Sequence, residues 1–384
     1  MDFLNNFIDF TRKCYNDEEN NIALHVPNFI GNEIKYLNET IKSTFVSSVG
    51  QYVDKIEKSI QYYTNTKKAV AVVNGTAAIS VSLRLVGVKK EDEVLTQALT
   101  FVATANAISY NGASPVFIDV DIDTMGMSPR SLSKFLKEFG LKKDGKVFNK
   151  YSGKRIGAVL PMHTFGFLCR INEIKKICDE WGLPLVEDAA EAFGSKSNGI
   201  SAGSYGTVGT FSFNGNKIIT AGGGGVIVSN NLSLMERAKH LTTTAKKPHQ
   251  YEYYHDEIGY NHRMPNINAA LLQAQFESIE ILKKSKSKLF NKYRSFFGQY
   301  KKHVKLFPIP ETTKDWNYWL ISILFNDKND KDNFLKKTNS KGINTRPIWK
   351  LLFELPMYSD CYRDSQVNAK YLQDRVVNIP SSAI

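Results

Sequence analysis

The sequence predicts an α/β fold: a large, mostly parallel sheet covered by helices on both faces, followed by a smaller C-terminal α+β domain. Between residues 69 and 229, short apolar, often β-branched runs alternate with stretches of helical period. That alternation marks strands joined by crossover helices. A chain of 384 residues also exceeds what one small core organises. Beyond about residue 275 the pattern changes to a long amphipathic helix, one strand-like run and loop-rich sequence. These observations divide the chain into an N-terminal arm with a large domain over 1–275 and a smaller domain over 276–384.

The elements follow in order. Phe3, Leu4, Phe7 and Ile8 stand at helical spacing within Met1 to Phe10. With Asp2 and Asp9 present and no basic start, this reads as a packing helix and not as a signal peptide. Ile34, Leu37 and Ile41 form a helical stripe over Asn32 to Thr44, Phe45 to Gly50 breaks it, and Tyr52 to Tyr63 resumes it. Strands are predicted at Ala69–Val73, Glu93–Thr96, Pro115–Asp119, Ile156–Leu160, Pro184–Asp188, Gly209–Phe213 and Val226–Ser229. Helices are predicted at Ala77–Val86, Thr104–Tyr110, Ser131–Phe139, Ile171–Trp181 and Leu234–Thr242. Lysine-rich Leu141–Tyr151 reads as a loop. After a polar segment at Lys246–His255, helical sequence runs from Ile267 to about Phe297, then a strand at Trp319–Phe325 and a helix at Asp330–Thr338.

Hydrophobic content of 42% and charged content of 23% are those of a soluble globular chain. The net charge of +12 suits anionic partners. No basic stripe is interleaved with aromatics, so a nucleic-acid-binding or regulatory role is not favoured. Cys14, Cys169, Cys178 and Cys361 form no C-x-x-C pair, and no metal site is expected at His249 and His255. With no apolar run of about 18 residues, neither a membrane nor a nucleic-acid partner is expected, and the location expected is the cytoplasm.

Candidate chemistry gathers at the carboxyl ends of strands, where ligands of parallel sheets bind. The first strand runs into Asn74-Gly75-Thr76 at a helix start, an arrangement that holds anions, although Asn or Thr there can be a plain cap. A later strand ends in Glu187-Asp188. Another ends in a turn that presents Lys217, followed by Gly222 to Gly225. An amine removed from water gives up its proton more easily, which suits a Schiff base with a carbonyl cofactor. Most turn lysines simply face solvent. If Lys217 holds an aldehyde cofactor, Gly75, Thr76 and the Ser212 hydroxyl can take its phosphate. Asp188 can pair its ring nitrogen, and Phe101 can stack on the ring. Each also has an ordinary role available as cap, strand-edge hydroxyl or core.

Asn74-Gly75-Thr76-Ala77-Ala78, Thr100 to Asn106, Val186 to Glu191, Phe211-Ser212-Phe213 with Asn216-Lys217, and Gly259 to Met264 together resemble the DegT-type nucleotide-sugar aminotransferases. These are pyridoxal 5′-phosphate enzymes of the aspartate-aminotransferase fold (fold type I), and the resemblance spans roughly residues 22–380. It implies Lys217 as the Schiff-base lysine and proton carrier, and Asp188 as partner of the pyridine nitrogen. Gly75, Thr76 and Ser212 become phosphate ligands, Phe101 the stacking ring, and Glu191 a neighbour of the ring oxygen. A further phosphate contact comes from a second subunit, with Asn261 first and Arg263 in reserve, which makes the protein a homodimer. L-glutamate is the implied amino donor, leaving the cofactor as pyridoxamine phosphate.

Phe45 to Gly50, Lys247 to His249, His255 to Glu257, Met264 to Asn268 and Thr345 to Trp349 resemble the branch serving legionaminic acid and related di-amino sugars. That branch aminates C4 of a nucleotide-linked 4-keto-6-deoxyhexose. The resemblance implies a UDP-2-acetamido-4-keto-2,6-dideoxyhexose and a product destined for surface glycan such as O-antigen lipopolysaccharide. Ser47 and His163 would face the sugar, although a turn hydroxyl and a packed core histidine are equally open roles for them. Lys247, Arg346, Trp319 and Trp349 are the right types for its diphosphate and its flat faces, though each is equally suited to a surface ion pair or a core. Phe353 and His262 depart from the residues usual at their positions, which keeps a GDP-linked 4-ketosugar open as the alternative. A pyridoxamine-dependent dehydratase would carry a histidine in place of Lys217.

Overall fold

In the computed structural model, which describes residues 3–384, three helices come first: α1 (Phe3–Tyr15), α2 (Glu33–Ser43) and α3 (Gln51–Thr64). Met1 and Asp2, the start of the predicted first helix, lie outside the described residues. The alternating part then runs β1 (Lys68–Val72), α4 (Gly75–Leu85), β2 (Glu93–Gln97), α5 (Ala103–Tyr110), β3 (Ser114–Ile118), α6 (Pro129–Phe139), β4 (Gly140–Lys143), β5 (Lys146–Asn149), β6 (Arg155–Leu160), α7 (Ile171–Trp181) and β7 (Val186–Asp188). A small ribbon, β8 (Lys196–Ser197) and β9 (Ile200–Ser201), precedes β10 (Val208–Ser212), β11 (Gly225–Ser229) and α8 (Leu232–Thr242).

The strands join into one sheet. The order β1-β11-β10-β7 meets β6-β2-β3 through parallel bridges from Val159 to Leu185 and from Met162 to Asp188. Among the seven strands of the order β1-β11-β10-β7-β6-β2-β3, only β11 runs against its neighbours. The carboxyl ends of β1, β2, β6, β7 and β10 therefore share one edge, the geometry that a crossover-linked sheet gives its ligand sites. Both faces are apolar and covered. Ile79, Leu83 and Val94 belong to a cluster on one side, while Leu95, Phe117 and Phe211 join the main core on the other.

Residues 141–151, expected as a loop, form most of an antiparallel β4–β5 hairpin that continues onto β6 through Val147 and Ile156. Its turn is Asp144-Gly145, both at positive φ, the pairing that a tight hairpin favours. The lysines there face solvent while Val147 and Asn149 are buried, so the charge conceals a short strand pair.

Helix α9 (Asn266–Glu277) packs against α2 and α3, and the C-terminal part comprises α10 (Ile279–Phe297), β12 (Val304–Leu306), β13 (Ile321–Phe325), α11 (Lys328–Ser340), β14 (Arg346–Pro347), α12 (Val367–Gln373) and β15 (Val376–Ile379). Its sheet is antiparallel in the order β12-β13-β15-β14. The N-terminal helix belongs spatially with this part: the Phe7 ring lies 4.9 Å from that of Phe334 and 5.9 Å from that of Phe297.

Candidate active site

Helix α4 is capped by Asn74, whose side chain accepts the Ala77 N–H at 2.8 Å. The first N–H groups of a helix have no partner within it, so those of Gly75 and Thr76 are available at the sheet edge. Three contacts make this corner narrow. A methyl group on Gly75 would lie 2.7 Å from Ser212 Cβ, and the Ser212 hydroxyl is 3.1 Å from the same point. One on Gly225 would meet the Asn74 carbonyl at 2.4 Å. The glycines thus let β10 and β11 close on the helix start, with Ser212 beside it.

Asp188 ends β7, is 2% exposed, and accepts hydrogen bonds from the Thr104 hydroxyl at 2.8 Å and the Ala190 N–H at 3.1 Å. Burial raises its affinity for a proton, and those bonds and Lys217 offset this only in part. Phe101 stands one turn before Thr104, with 53% of its surface exposed at the same edge.

Lys217 follows β10 in a turn closed by its own N–H to the Asn214 carbonyl at 3.0 Å. Its amine lies 3.6 Å from Glu191 Oε1 and 4.0 Å from the centre of the Trp319 ring. Only 13% of the side chain is exposed. Burial lowers the proton affinity of the amine, against the pull of Glu191 and Asp188. Glu191 is shifted the other way: burial, partly offset by Lys217 and the Phe165 N–H, pushes its pKa up to about 7. The two shifts bring amine and carboxyl towards a shared proton.

Glu191 is held by residues that sequence reasoning did not single out. Phe165 donates its N–H to Oε2 at 2.9 Å from a left-handed backbone conformation, φ 54°. Asn317 is fully buried and donates to the Glu191 and Phe193 carbonyls at 2.8 and 3.0 Å. Thr104, which fixes Asp188, is a third. Of these only Thr104 had a local signal, a hydroxyl one helical turn after Thr100, with which it pairs at 2.8 Å.

The remaining candidates are placed as follows. Trp349 and Phe165 face each other at 4.8 Å between ring centres, continuing the aromatic surface begun by Trp319. His163 has no exposed surface: Nε2 pairs with Glu187 at 3.0 Å, and Nδ1 accepts the Cys169 N–H at 3.3 Å. Ser47 is exposed on a loop anchored to α9 by Asn266, which donates its N–H to the Ser47 carbonyl at 2.6 Å. Lys247 pairs with Asp256 at 3.0 Å. Arg346 donates to Asn339 and to the Thr345 carbonyl. Arg263 is bridged to Val72 at the rim of the sheet, its Nε buried without a partner among the described residues, and Asn261 is exposed nearby. Gly75, Ser212, Asp188, Glu191, Lys217 and Trp319 therefore meet at one edge, whereas Lys247 and Arg346 are engaged elsewhere.

Residues 27–383 match the sequence model of the DegT/DnrJ/EryC1/StrS aminotransferase family. The chain is 34% identical over 363 residues to the GDP-perosamine synthase of Escherichia coli O157:H7, covering 94% of this chain and 93% of that protein. It is 33% identical over 372 residues to the GDP-perosamine synthase of Vibrio cholerae, covering 94% of each. In fold it is similar to Helicobacter pylori PseC, an aminotransferase involved in the biosynthesis of pseudoaminic acid. The TM-score is 0.84 at 22% identity, over 94% of this chain and 93% of that one.

The Glu191 shift has a measurable consequence. The folded protein keeps this proton up to about pH 7, whereas the unfolded chain releases it near 4.5. Folded protein therefore binds more protons between those values, and stability falls as pH rises through the window, by about 3 kcal/mol at most. Glu191→Gln, with no proton to lose, should show a shallower fall from pH 4.5 to 7 in urea melts of the cofactor-free protein. Parallel pH dependences would mean that Glu191 titrates normally.

Proposed function

The chain belongs to the DegT/DnrJ/EryC1/StrS aminotransferase family, pyridoxal-phosphate-dependent sugar aminotransferases of fold type I, and on that premise we propose that it aminates C4 of a nucleotide-linked 4-keto-6-deoxyhexose with L-glutamate as donor. The observation that carries this reading is the position of Lys217. A buried amine stands between a carboxyl and an aromatic ring, at the edge where Gly75 and Ser212 leave an anion cradle.

The residues fit the cofactor. The cradle at Gly75 has free N–H groups and a hydroxyl but no room for a Cβ. Asp188 is a buried carboxylate with affinity for a proton that a pyridinium N–H would satisfy. Phe101 offers an open ring face. In this reading Gly75, Thr76 and Ser212 hold the phosphate, Asp188 the ring nitrogen, and Phe101 the ring plane. Pyridoxal phosphate, when bound, supplies the carbonyl that takes the amino group and the electron sink that acidifies the neighbouring carbon. Lys217 Nζ carries the proton to and from that carbon and C4 of the sugar, and its lowered proton affinity suits it to act as base. Glu191 is the adjacent group able to exchange a proton with the amine. The indoles of Trp319 and Trp349 with Phe165 wall the site on the side of the C-terminal part.

We further propose a homodimer with shared sites. Ile34, Phe45, Tyr253 and Ile258 are each more than half exposed, apolar side chains that a second copy would cover. The exposed Asn261 suits contact with that copy's phosphate, with Arg263 two residues on as the charged alternative. The sugar proposed is UDP-2-acetamido-4-keto-2,6-dideoxyhexose, supported by the segments around Phe45, Lys247 and Thr345. A GDP-linked 4-ketosugar is the second reading, favoured by the names of the Escherichia coli and Vibrio cholerae relatives.

With nitrogen-labelled glutamate, wild-type protein should deliver label to the sugar, and Lys217→Ala should lower turnover by at least about a thousandfold, the loss typical of a proton carrier or more. Full activity in that variant would end the reading. Turnover of the UDP sugar should exceed that of a GDP-linked 4-ketosugar without the acetamido group; the reverse order would establish the second reading. In sedimentation, Tyr253→Arg combined with Ile258→Glu should shift dimer to monomer and loosen the cofactor. A fully active wild-type monomer would contradict shared sites.

A further inference from the structure

The turn that carries Lys217 is fixed from outside the large sheet. The peptide between Asn216 and Lys217 is held at both ends. Its carbonyl accepts the Trp319 indole N–H at 2.6 Å, and its N–H donates to the Asn214 carbonyl at 3.0 Å. The lysine amine then lies over the same indole, 4.0 Å from the ring centre. Trp319 is 4% exposed and is itself secured on both sides. Its N–H donates to Asn317 Oδ1 at 3.0 Å, and its carbonyl accepts from the buried Lys286 amine at 3.3 Å. Asn317 is also the residue whose amide holds the Glu191 carbonyl. One buried side chain thus sets the main chains of both groups that flank the amine.

We propose that Trp319 is a positioning residue for Lys217, holding the ammonium over its ring face and, through the Asn216 carbonyl, fixing the backbone from which the lysine leaves. The proposal rests on the reading of Lys217 as the proton carrier. A proton carrier beside a carboxylate risks being trapped by it. The face of an indole attracts a cation without offering a base to take its proton, so the ammonium can be held and still give its proton to carbon. The charged and titratable groups facing the amine are Glu191 and Asp188 from the end of β7, and His25 from the N-terminal segment. The indole is the member of that surround that neither titrates nor offers a basic lone pair.

The test uses the holoenzyme in its pyridoxamine-phosphate form, in which Lys217 carries no covalent bond. Competitive acetylation across pH, read by mass spectrometry, gives the labelling midpoint of Lys217. Trp319→Leu, which removes the ring face, should raise the acid dissociation constant of Lys217 about tenfold, in line with a desolvated cation–π contact. Trp319→Phe keeps a ring face and loses the N–H. Its midpoint should stay within about threefold of wild type, while kcat falls at unchanged KM because the backbone is no longer pinned. A midpoint that is unchanged or moves upward in Trp319→Leu would overturn the ring's role. An unaltered kcat in folded Trp319→Phe would overturn the N–H's role, and this variant decides the matter if Trp319→Leu does not fold. Labelling is independent of turnover, so a failure here is distinct from activity surviving in Lys217→Ala.

Discussion

Keeping one amine out of water is the constraint on which the site depends. A lysine in a turn would ordinarily extend into solvent. Here Lys217 is enclosed by Glu191, Trp319 and the end of β7, and burial weakens its hold on a proton. The surrounding chain is shaped to make that enclosure stable. Phe165 adopts a left-handed backbone to aim its N–H at Glu191. Such a conformation costs of order 1–3 kcal/mol and persists only where neighbours determine it. Gly166, also at positive φ, follows at once, and a Cβ there would strike Asn317 Oδ1 at 2.2 Å. The bend after β6, the loop after β7 and the entry to β13 are thus mutually fitted around one carboxyl group.

The opposite corner obeys a different rule. At the start of α4 the interaction is between backbones, so its determinant is the absence of side chains. Gly75 and Gly225 leave Ser212 and the Asn74 peptide in contact, and a helix N-terminus provides the donors. The β11 strand, antiparallel to both β1 and β10, returns along β1 so that Gly225 reaches Asn74. The glycine tract after Lys217 therefore serves the anion cradle at least as much as the lysine turn.

What was legible in the sequence follows from this difference. Strand runs, crossover helices and the residues at strand ends are local patterns, and Asn74, Asp188 and Lys217 could be placed at one edge from them. The family resemblance added Glu191, whose carboxyl lies beside the amine. The groups that fix these residues were not legible. Asn317 reaches Glu191 across 126 positions of sequence, and Phe165 acts through its main chain, so neither leaves a period or a motif. The β4–β5 hairpin was hidden because lysines occupy its solvent face, although Asp144-Gly145 was a readable turn. Short strands such as Arg346–Pro347 and Val376–Ile379 acquire their identity by pairing, the first with the second and the second also with β13. A motif also does not report which way a side chain is spent: His163 sits beside the strand ends, yet both its nitrogens are taken by Glu187 and Cys169.

The net charge of +12 is likewise not concentrated where the chemistry is. Around Lys217 the ionisable neighbours are mostly acids, Asp188 and Glu191, so the immediate site carries no excess of positive charge. Lys247 is neutralised by Asp256 on the segment after α8, and Arg346 is turned to uncharged acceptors. The positive surface is therefore placed to act at a distance, where long-range attraction that salt screens would draw in the anionic nucleotide sugar proposed above. In the proposed function, recognition close to the amine would fall to neutral groups: the free N–H groups of Gly75 and Thr76, the Ser212 hydroxyl and the indole and phenyl faces of Trp319, Trp349 and Phe165. Attraction and alignment are thus carried by different residues. Charge on the outer surface can change without disturbing the proton balance of Lys217, whereas a shift of the C-terminal part, which carries Asn317 and Trp319, reaches that balance directly.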